Sequence, residues 1–403
     1  RLPEVWFQVC ILPVWQHRTD MEIETDKSIF QEEFKTKMKI GLLTFHAAMN
    51  VGAQLQALAL FKTLKDAGHE VEFIRYEPNY LKYPYRFFRN ARIKNGIASY
   101  VKQCLLHIFC DTYTWIKTKR HYGDFQERFY TLSRQVYKNP DELAKADYDA
   151  IITGSDQVWN PEITNGSLDP MYTLHFQSDR IRKISYAASF SEKHIDRNMA
   201  EELVGRIKSF YAVSVREECL KKYLDNLCSL RIEVVLDPTL LLTKSQWLAL
   251  MPEKRMIKER YVLLYQARGI KKDVLKQATD LADKLHATVY DASGMNYRVA
   301  KYGKQYVSPI EFLNLVFFAE AVVTVSFHGK ALSLVLEKPF FSICLNDGRD
   351  GRVINLLKGM GLSSQLKPVG EELAVPRMDY SLARRHLDTA RTASLSFLFK
   401  ALN

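Results

Sequence analysis

Residues Ala321-Val322-Val323-Thr324-Val325 run into Ser326-Phe327-His328-Gly329 and on through Lys330 to Glu337 before Lys338-Pro339. Five small or β-branched residues in a row predict a strand buried on both faces. Ala331-Leu332-Ser333-Leu334-Val335-Leu336 predicts a helix that Lys338-Pro339 stops. A buried strand leading straight into a helix belongs to a parallel α/β sheet, and His328 then stands at the strand's carboxyl end, in the first turn of the helix. Ligands collect at that edge, where spare backbone N–H groups face anions. An imidazole with an ordinary pKa of about 6.5 exchanges a proton near neutrality. The alternative for His328 is a core or capping role.

The same rhythm runs through most of the chain. Strands are expected at 38–45, 70–75, 148–153, 181–190, 212–215 and 232–236. After a polar stretch over Thr243–Arg260 containing Pro252 come a strand at 261–266, a helix at 271–285, a strand at 287–291, a helix at 308–318, a strand at 339–344 and a helix from about 352. A chain of 403 residues exceeds what one core usually serves. We therefore expect two α/β domains, 38–243 and 244–403, whose strand ends line a common cleft. Residues 1–37 are aperiodic, lack the features of a signal peptide and read as a non-native or flexible leader, with a docking arm as the alternative.

Composition narrows the chemistry. The 57 Lys and Arg against 46 Asp and Glu give a net charge of +11, which suits an anionic partner without specifying it. Six scattered cysteines without a CxxC pair point to free thiols in a reducing cytosol, hence a cytoplasmic protein. The turn from His46 to Gly52 lacks GxGxxG and GxxxxGK[ST]. No HExxH, GxSxG or clustered Cys and His occurs, so no zinc or serine-hydrolase pattern is present.

Residues 75–135 stand apart, with twelve Lys or Arg against four Asp or Glu. Tyr80, Tyr83, Tyr85, Phe87 and Phe88 interleave with Lys82, Arg86, Arg89, Arg92 and Lys94. This predicts a basic, aromatic helical insert in the first domain, suited to peripheral contact with an anionic membrane at its inner face. Base stacking on nucleic acid is the weaker option, and a solvated insertion whose aromatics pack on the domain is the bland one.

Polar residues recur where strands end. Asn50 and Gly52 open a helix and serve first as caps, with ligand contact as the alternative. Gly154-Ser155-Asp156-Gln157-Val158-Trp159-Asn160-Pro161 is the densest polar string; Ser155, Asp156, Trp159 and Asn160 are candidate ligand contacts, against a simple helix-capping turn. Arg216 follows directly on Ala212–Val215, where a guanidinium suits a phosphate or carboxylate, or else a surface ion pair with Glu217 or Glu218.

Taken together, Asn50 to Ala57, Gly154 to Asn160, Ser185-Tyr186-Ala187-Ala188-Ser189-Phe190, Ser214-Val215-Arg216-Glu217-Glu218, Leu236-Asp237-Pro238-Thr239 and Ser326-Phe327-His328-Gly329 resemble the polysaccharide pyruvyl transferase family over about 38–360. The resemblance implies two Rossmann-like domains of the GT-B kind. It also implies transfer of pyruvyl from phosphoenolpyruvate to two hydroxyls of one sugar, giving a cyclic ketal and phosphate. His328 matches the catalytic histidine and Arg216 a position like the donor-binding arginine. Many members carry Arg where this chain has Ser326, so Lys330 or Arg352 is expected to meet the donor instead. The acceptor would be a sugar or a lipid-linked oligosaccharide; no metal or redox cofactor and no nucleic acid is expected. The alternatives are a GT-B glycosyltransferase using a nucleotide sugar and a non-catalytic module binding anionic glycan or lipid.

Overall fold

Seven short strands build the first sheet: β1 (Lys39–Leu43), β2 (Glu70–Arg75), β3 (Leu132–Val136), β4 (Ala150–Thr153), β5 (Arg182–Ala188), β6 (Ala212–Val215) and β7 (Ile232–Val234). The computed structural model describes residues 36–82, 112–190, 197–266, 271–293, 307–345 and 350–403. The strand order is β3-β2-β1-β4-β5-β6-β7, with every pair parallel. A second parallel sheet contains β8 (Tyr261–Tyr265), β9 (Thr288–Asp291), β10 (Ala321–Thr324), β11 (Phe340–Cys344) and β12 (Leu366–Pro368), in the order β12-β11-β10-β8-β9. The order reverses beside β1 in the first sheet and beside β8 in the second, and such switch points open ligand crevices at the strands' carboxyl ends.

Strand alternation assigns the cores. Ile40, Leu42, Val71 and Phe73 face one way and join Tyr261, Leu263, Val322 and Phe340 in a core that runs through both lobes. Leu43, Ile74 and Ile151 face the other way into a core confined to the first lobe. Val262, Leu264, Val323 and Ile343 fill the outer core of the second. Each such side chain contributes about 1.5–3 kcal/mol on burial, and because one core is common to both lobes it fixes them together. The Val51–Asp66 helix of the first lobe also packs on the Pro309–Phe318 helix of the second.

Two further features complete the architecture. The Ser381–Leu402 helix begins on the second lobe, where Arg384 pairs with Glu337 and His386 Nδ1 lies 2.8 Å from the Gly359 carbonyl oxygen, and runs on to the first. Ser394 Oγ accepts from the Leu236 N–H at 2.9 Å, Arg391 Nε donates to the Leu240 carbonyl at 2.9 Å, and Arg182 Nη1 donates to the Leu402 carbonyl at 2.9 Å.

The described parts of the segment 75–135 pack on the first lobe. The Thr112–Phe129 helix buries Tyr122 and Phe125 beside Tyr130 in the shared core, and β3 is the edge strand of the first sheet. Tyr76 donates to the Asp169 carboxylate at 2.7 Å and Tyr80 donates to it as well, so their hydroxyls are anchored inside the lobe. Tyr83, Tyr85, Phe87, Phe88, Arg86, Arg89, Arg92 and Lys94 lie outside the described residues, as does the segment 1–35.

Candidate functional site

The carboxyl ends of β4, β5, β6, β7 and β10 bring their loops together. Gly154 has φ +108°, and a Cβ there would stand 2.3 Å from the Tyr186 carbonyl oxygen, so only glycine fits. Asp156 follows with φ 70°. Its carbonyl accepts from the N–H groups of Val158 at 2.8 Å and Ser189 at 3.0 Å, which fixes the backbone so that the carboxylate reaches Arg216, Oδ1 to Nη2 3.6 Å.

Arg216 leaves β6 with its N–H bonded to the Ala188 carbonyl at 3.1 Å, and its side chain is only 4% exposed. Nη1 donates to Asp237 Oδ2 at 2.6 Å and Nε to Glu217 Oε1 at 3.3 Å. The guanidinium stands 5.1 Å from the Phe327 ring of the second lobe, within cation–π range. Ser189 Oγ donates to the same Glu217 oxygen at 2.5 Å. Burial alone would lower the basicity of the guanidinium; the charges of Glu217, Asp237 and Asp156 outweigh it and raise the pKa. Arg216 is thus the hub of a buried carboxylate cluster, not an open anion clamp or an exposed ion pair.

Asp237, fully buried, caps the short Pro238–Leu240 helix. Its Oδ1 accepts from Thr239 N–H at 3.0 Å and Thr239 Oγ1 at 2.7 Å. Burial would raise this carboxyl, but His328, Arg216 and Thr239 outweigh it and hold the group far below the ordinary carboxylate range. Asp237 Oδ2 also lies 3.7 Å from His328 Nε2, ion-pair distance rather than a hydrogen bond.

His328 comes from the opposite lobe. It is the second residue of the Phe327–Val335 helix, whose start has no side-chain cap bond, so that backbone donors remain at the cleft. The ring lies against the Val51–Asp66 helix so closely that a Cβ on Gly52 would be 2.1 Å from Nδ1. Nε2 is buried with no hydrogen bond among the described residues. The imidazole is thereby set between two helix N-termini, with Asp237 as counter-charge.

The remaining candidates divide. Asn50 is the expected cap, its Oδ1 accepting from the Ala53 N–H at 3.1 Å. Ser155 is fully buried and its Oγ has no partner, while its carbonyl accepts from Thr44 Oγ1 at 3.2 Å. Ser326 is a buried N-cap whose N–H bonds Thr324 Oγ1 at 3.0 Å. Lys330 is fully buried within the same helix. Arg352 lies in the Gly351–Gly359 helix, its side chain outside the described residues.

Trp159 and Asn160 are buried and make fold-forming hydrogen bonds. The indole is fully buried and donates to the Tyr172 carbonyl at 3.1 Å. Asn160 Nδ2 donates to Gln157 Oε1 at 2.7 Å and its Oδ1 accepts from the Glu162 N–H at 3.1 Å, closing a turn. Sequence reasoning does not single out Asp237 or Glu217 as site residues, although both stand in the loops that follow β7 (Ile232–Val234) and β6 (Ala212–Val215), at the edge that carries Arg216. Among the described residues no group of three or more His, Cys, Asp or Glu is arranged to hold a metal ion. No described helix is long and apolar enough to cross a membrane.

The model of the polysaccharide pyruvyl transferase family matches residues 50–344, a span that includes every residue of this constellation. The chain belongs to that family. Comparison with curated proteins returns no match. Among solved structures the chain is similar to the glycosyltransferase SnogD from Streptomyces nogalater, at 12% identity over 90% of this chain and 95% of that one, TM-score 0.38. It is also similar to a Methanocaldococcus jannaschii UDP-GlcNAc 2-epimerase in complex with UDP-GlcNAc and UDP, at 14% identity over 88% and 99%, TM-score 0.42. A third is Escherichia coli heptosyltransferase WaaC with ADP, at 10% identity over 88% and 100%, TM-score 0.37.

Proposed function

We propose that the protein transfers pyruvyl from phosphoenolpyruvate to two hydroxyls of one sugar, forming a cyclic ketal and releasing phosphate. The observation that carries this reading is His328 of one lobe seated on Gly52 and Asp237 of the other, inside the span matched to the family. A proton given to the methylene carbon makes C2 an oxocarbenium-like centre, which one hydroxyl attacks. The C2–O bond to phosphate then breaks and the second hydroxyl closes the ring. Of the two hydroxyl protons released, one replaces the proton given to carbon and the other leaves with phosphate. The reaction so written uses no metal or redox cofactor.

His328 is the acid, a role worth about 10²–10⁴-fold in rate. Because the donors of Arg216 are occupied by carboxylates, the open amides at the starts of the Val51–Asp66 and Phe327–Val335 helices are the groups that meet the phosphate. The acceptor is a sugar or a lipid-linked oligosaccharide, and the basic, aromatic composition of 75–135 suits peripheral contact with an anionic membrane at its inner face. The test is phosphate release from phosphoenolpyruvate that depends on a sugar acceptor, with the ketal methyl group detected by NMR. His328→Ala should abolish turnover in a folded protein. Transfer from a nucleotide sugar with no use of phosphoenolpyruvate overturns the assignment.

A further inference from the structure

The ring of His328 has two nitrogens in unlike surroundings, and that difference decides which of them moves the proton. We propose that Nδ1, the nitrogen beside Gly52, delivers the proton to the substrate, and that Asp237 is the positioning residue that holds the ring through Nε2. The proposal rests on the reading of His328 as the acid and adds the atom and its partner.

The geometry separates the two nitrogens. Nε2 is buried, without a hydrogen bond among the described residues, and faces Asp237 Oδ2 at 3.7 Å; catalytic contacts of this kind are often long in a free enzyme and tighten on substrate. Nδ1 lies at the seam between the lobes, against the one residue of the first turn of the Val51–Asp66 helix that has no side chain. A Cβ at 52 would stand 2.1 Å from Nδ1 and 2.5 Å from the ring's Cγ, so only glycine there leaves the ring its place at the seam. Asp237 is suited to steer the ring because it cannot move: Thr239 holds Oδ1 through two hydrogen bonds and Arg216 holds Oδ2 through one.

The charged groups around the ring support the arrangement. Asp237 faces it from the turn after β7, and Arg216, reaching the same oxygen from β6, is itself neutralised by Glu217 and Asp156. Neither the Val51–Asp66 helix nor the Phe327–Val335 helix has an acidic residue in its first turn, and Lys330 lies within the latter. Helix N-termini disfavour a cation, and Asp237 is the carboxylate that faces the ring. In the step itself the Nδ1–H bond breaks and a C–H bond forms at the methylene carbon from the electrons of the C=C bond. The ring is left neutral with its remaining proton on Nε2, facing Asp237.

The deciding experiment is NMR of the whole wild-type protein carrying ¹⁵N-labelled histidine, with the His328 signals assigned by loss in His328→Gln. The neutral ring is expected as the tautomer protonated on Nε2. A neutral ring protonated on Nδ1 overturns the proposal, whatever donor the enzyme uses. The kinetic arm is Asp237→Asn. The expected result is a kcat lower by about 10²-fold with donor KM within threefold, and an alkaline limb of the pH–rate profile moved to lower pH. A folded Asp237→Asn protein with unchanged kcat and an unmoved profile overturns the positioning role, and if that variant does not fold the tautomer alone decides. Absence of any reaction with phosphoenolpyruvate, together with the Nε2 tautomer, would fault the proposed function and leave the Asp237–His328 pairing standing.

Discussion

Arg216 and His328 meet on one oxygen atom: Asp237 Oδ2 lies 2.6 Å from Nη1 of the arginine and 3.7 Å from Nε2 of the histidine. The arginine belongs to the first lobe and the histidine to the second, so one carboxylate couples the buried cluster to the seam.

Removing the hub leaves three carboxylates without their cation. Arg216→Met is expected to lower unfolding stability by about 3–5 kcal/mol, the cost of stranding one partner of a buried ion pair. Arg216→Lys should recover only part of this, because an ammonium cannot divide itself among three acceptors as a planar fork does. Urea unfolding measures both; a loss under about 1 kcal/mol for Arg216→Met contradicts the arrangement.

Gly52→Ala separates stability from activity. Alanine is the better helix former by about 1 kcal/mol, yet the added methyl collides with the His328 ring across the seam. We expect turnover to fall at least about tenfold, one pKa-unit-sized free-energy step of roughly 1.4 kcal/mol, while the urea midpoint changes little.

Acid sensitivity should originate in part at His46. Its ring is buried against Phe73 and its pKa is lowered to about 4, chiefly by desolvation. The unfolded chain takes up a proton near pH 6.5, whereas the folded one does so only near 4. Stability is therefore complete above pH 6.5 and declines as pH falls toward 4, by about 3 kcal/mol from this group. Denaturant titrations at pH 7.5 and 5 should show the decline, and His46→Gln should flatten it.

Trp159→Ala is expected to cost about 3–5 kcal/mol as a core deletion. Substrate KM in whatever fraction remains folded should be unaltered, since the indole bonds the Tyr172 carbonyl and fills the first lobe's outer core. A KM change without loss of stability would return Trp159 to the ligand site.

Strand periodicity made most of the sheet framework readable: 261–266 was expected and Tyr261–Tyr265 is found, and 70–75 was expected and Glu70–Arg75 is found. Buried parallel strands carry an apolar signal dense enough to stand alone. The edge strand Leu132–Val136 does not, because of its five residues only Ser133 is buried. The polar string after β4 does not by itself place Trp159, because a tryptophan among amides and carboxylates looks the same whether it faces a ligand or the core behind it, where the indole is found. Asp237 sat inside a string already tied to the family, but its importance comes from Arg216 and His328 arriving at it from 21 positions before and from the other lobe, a convergence that only folding reveals.

The helix Ser381–Leu402 acts as a strap. The polypeptide crosses between the lobes once near Thr243 and returns at this helix, whose Leu395, Leu398 and Phe399 complete apolar packing begun two hundred residues upstream. Severing the gene near Thr243 would therefore yield a first lobe lacking a wall and a second lobe dragging an unpaired greasy rod. Any rocking of the lobes that admits substrate must pivot about both crossings together.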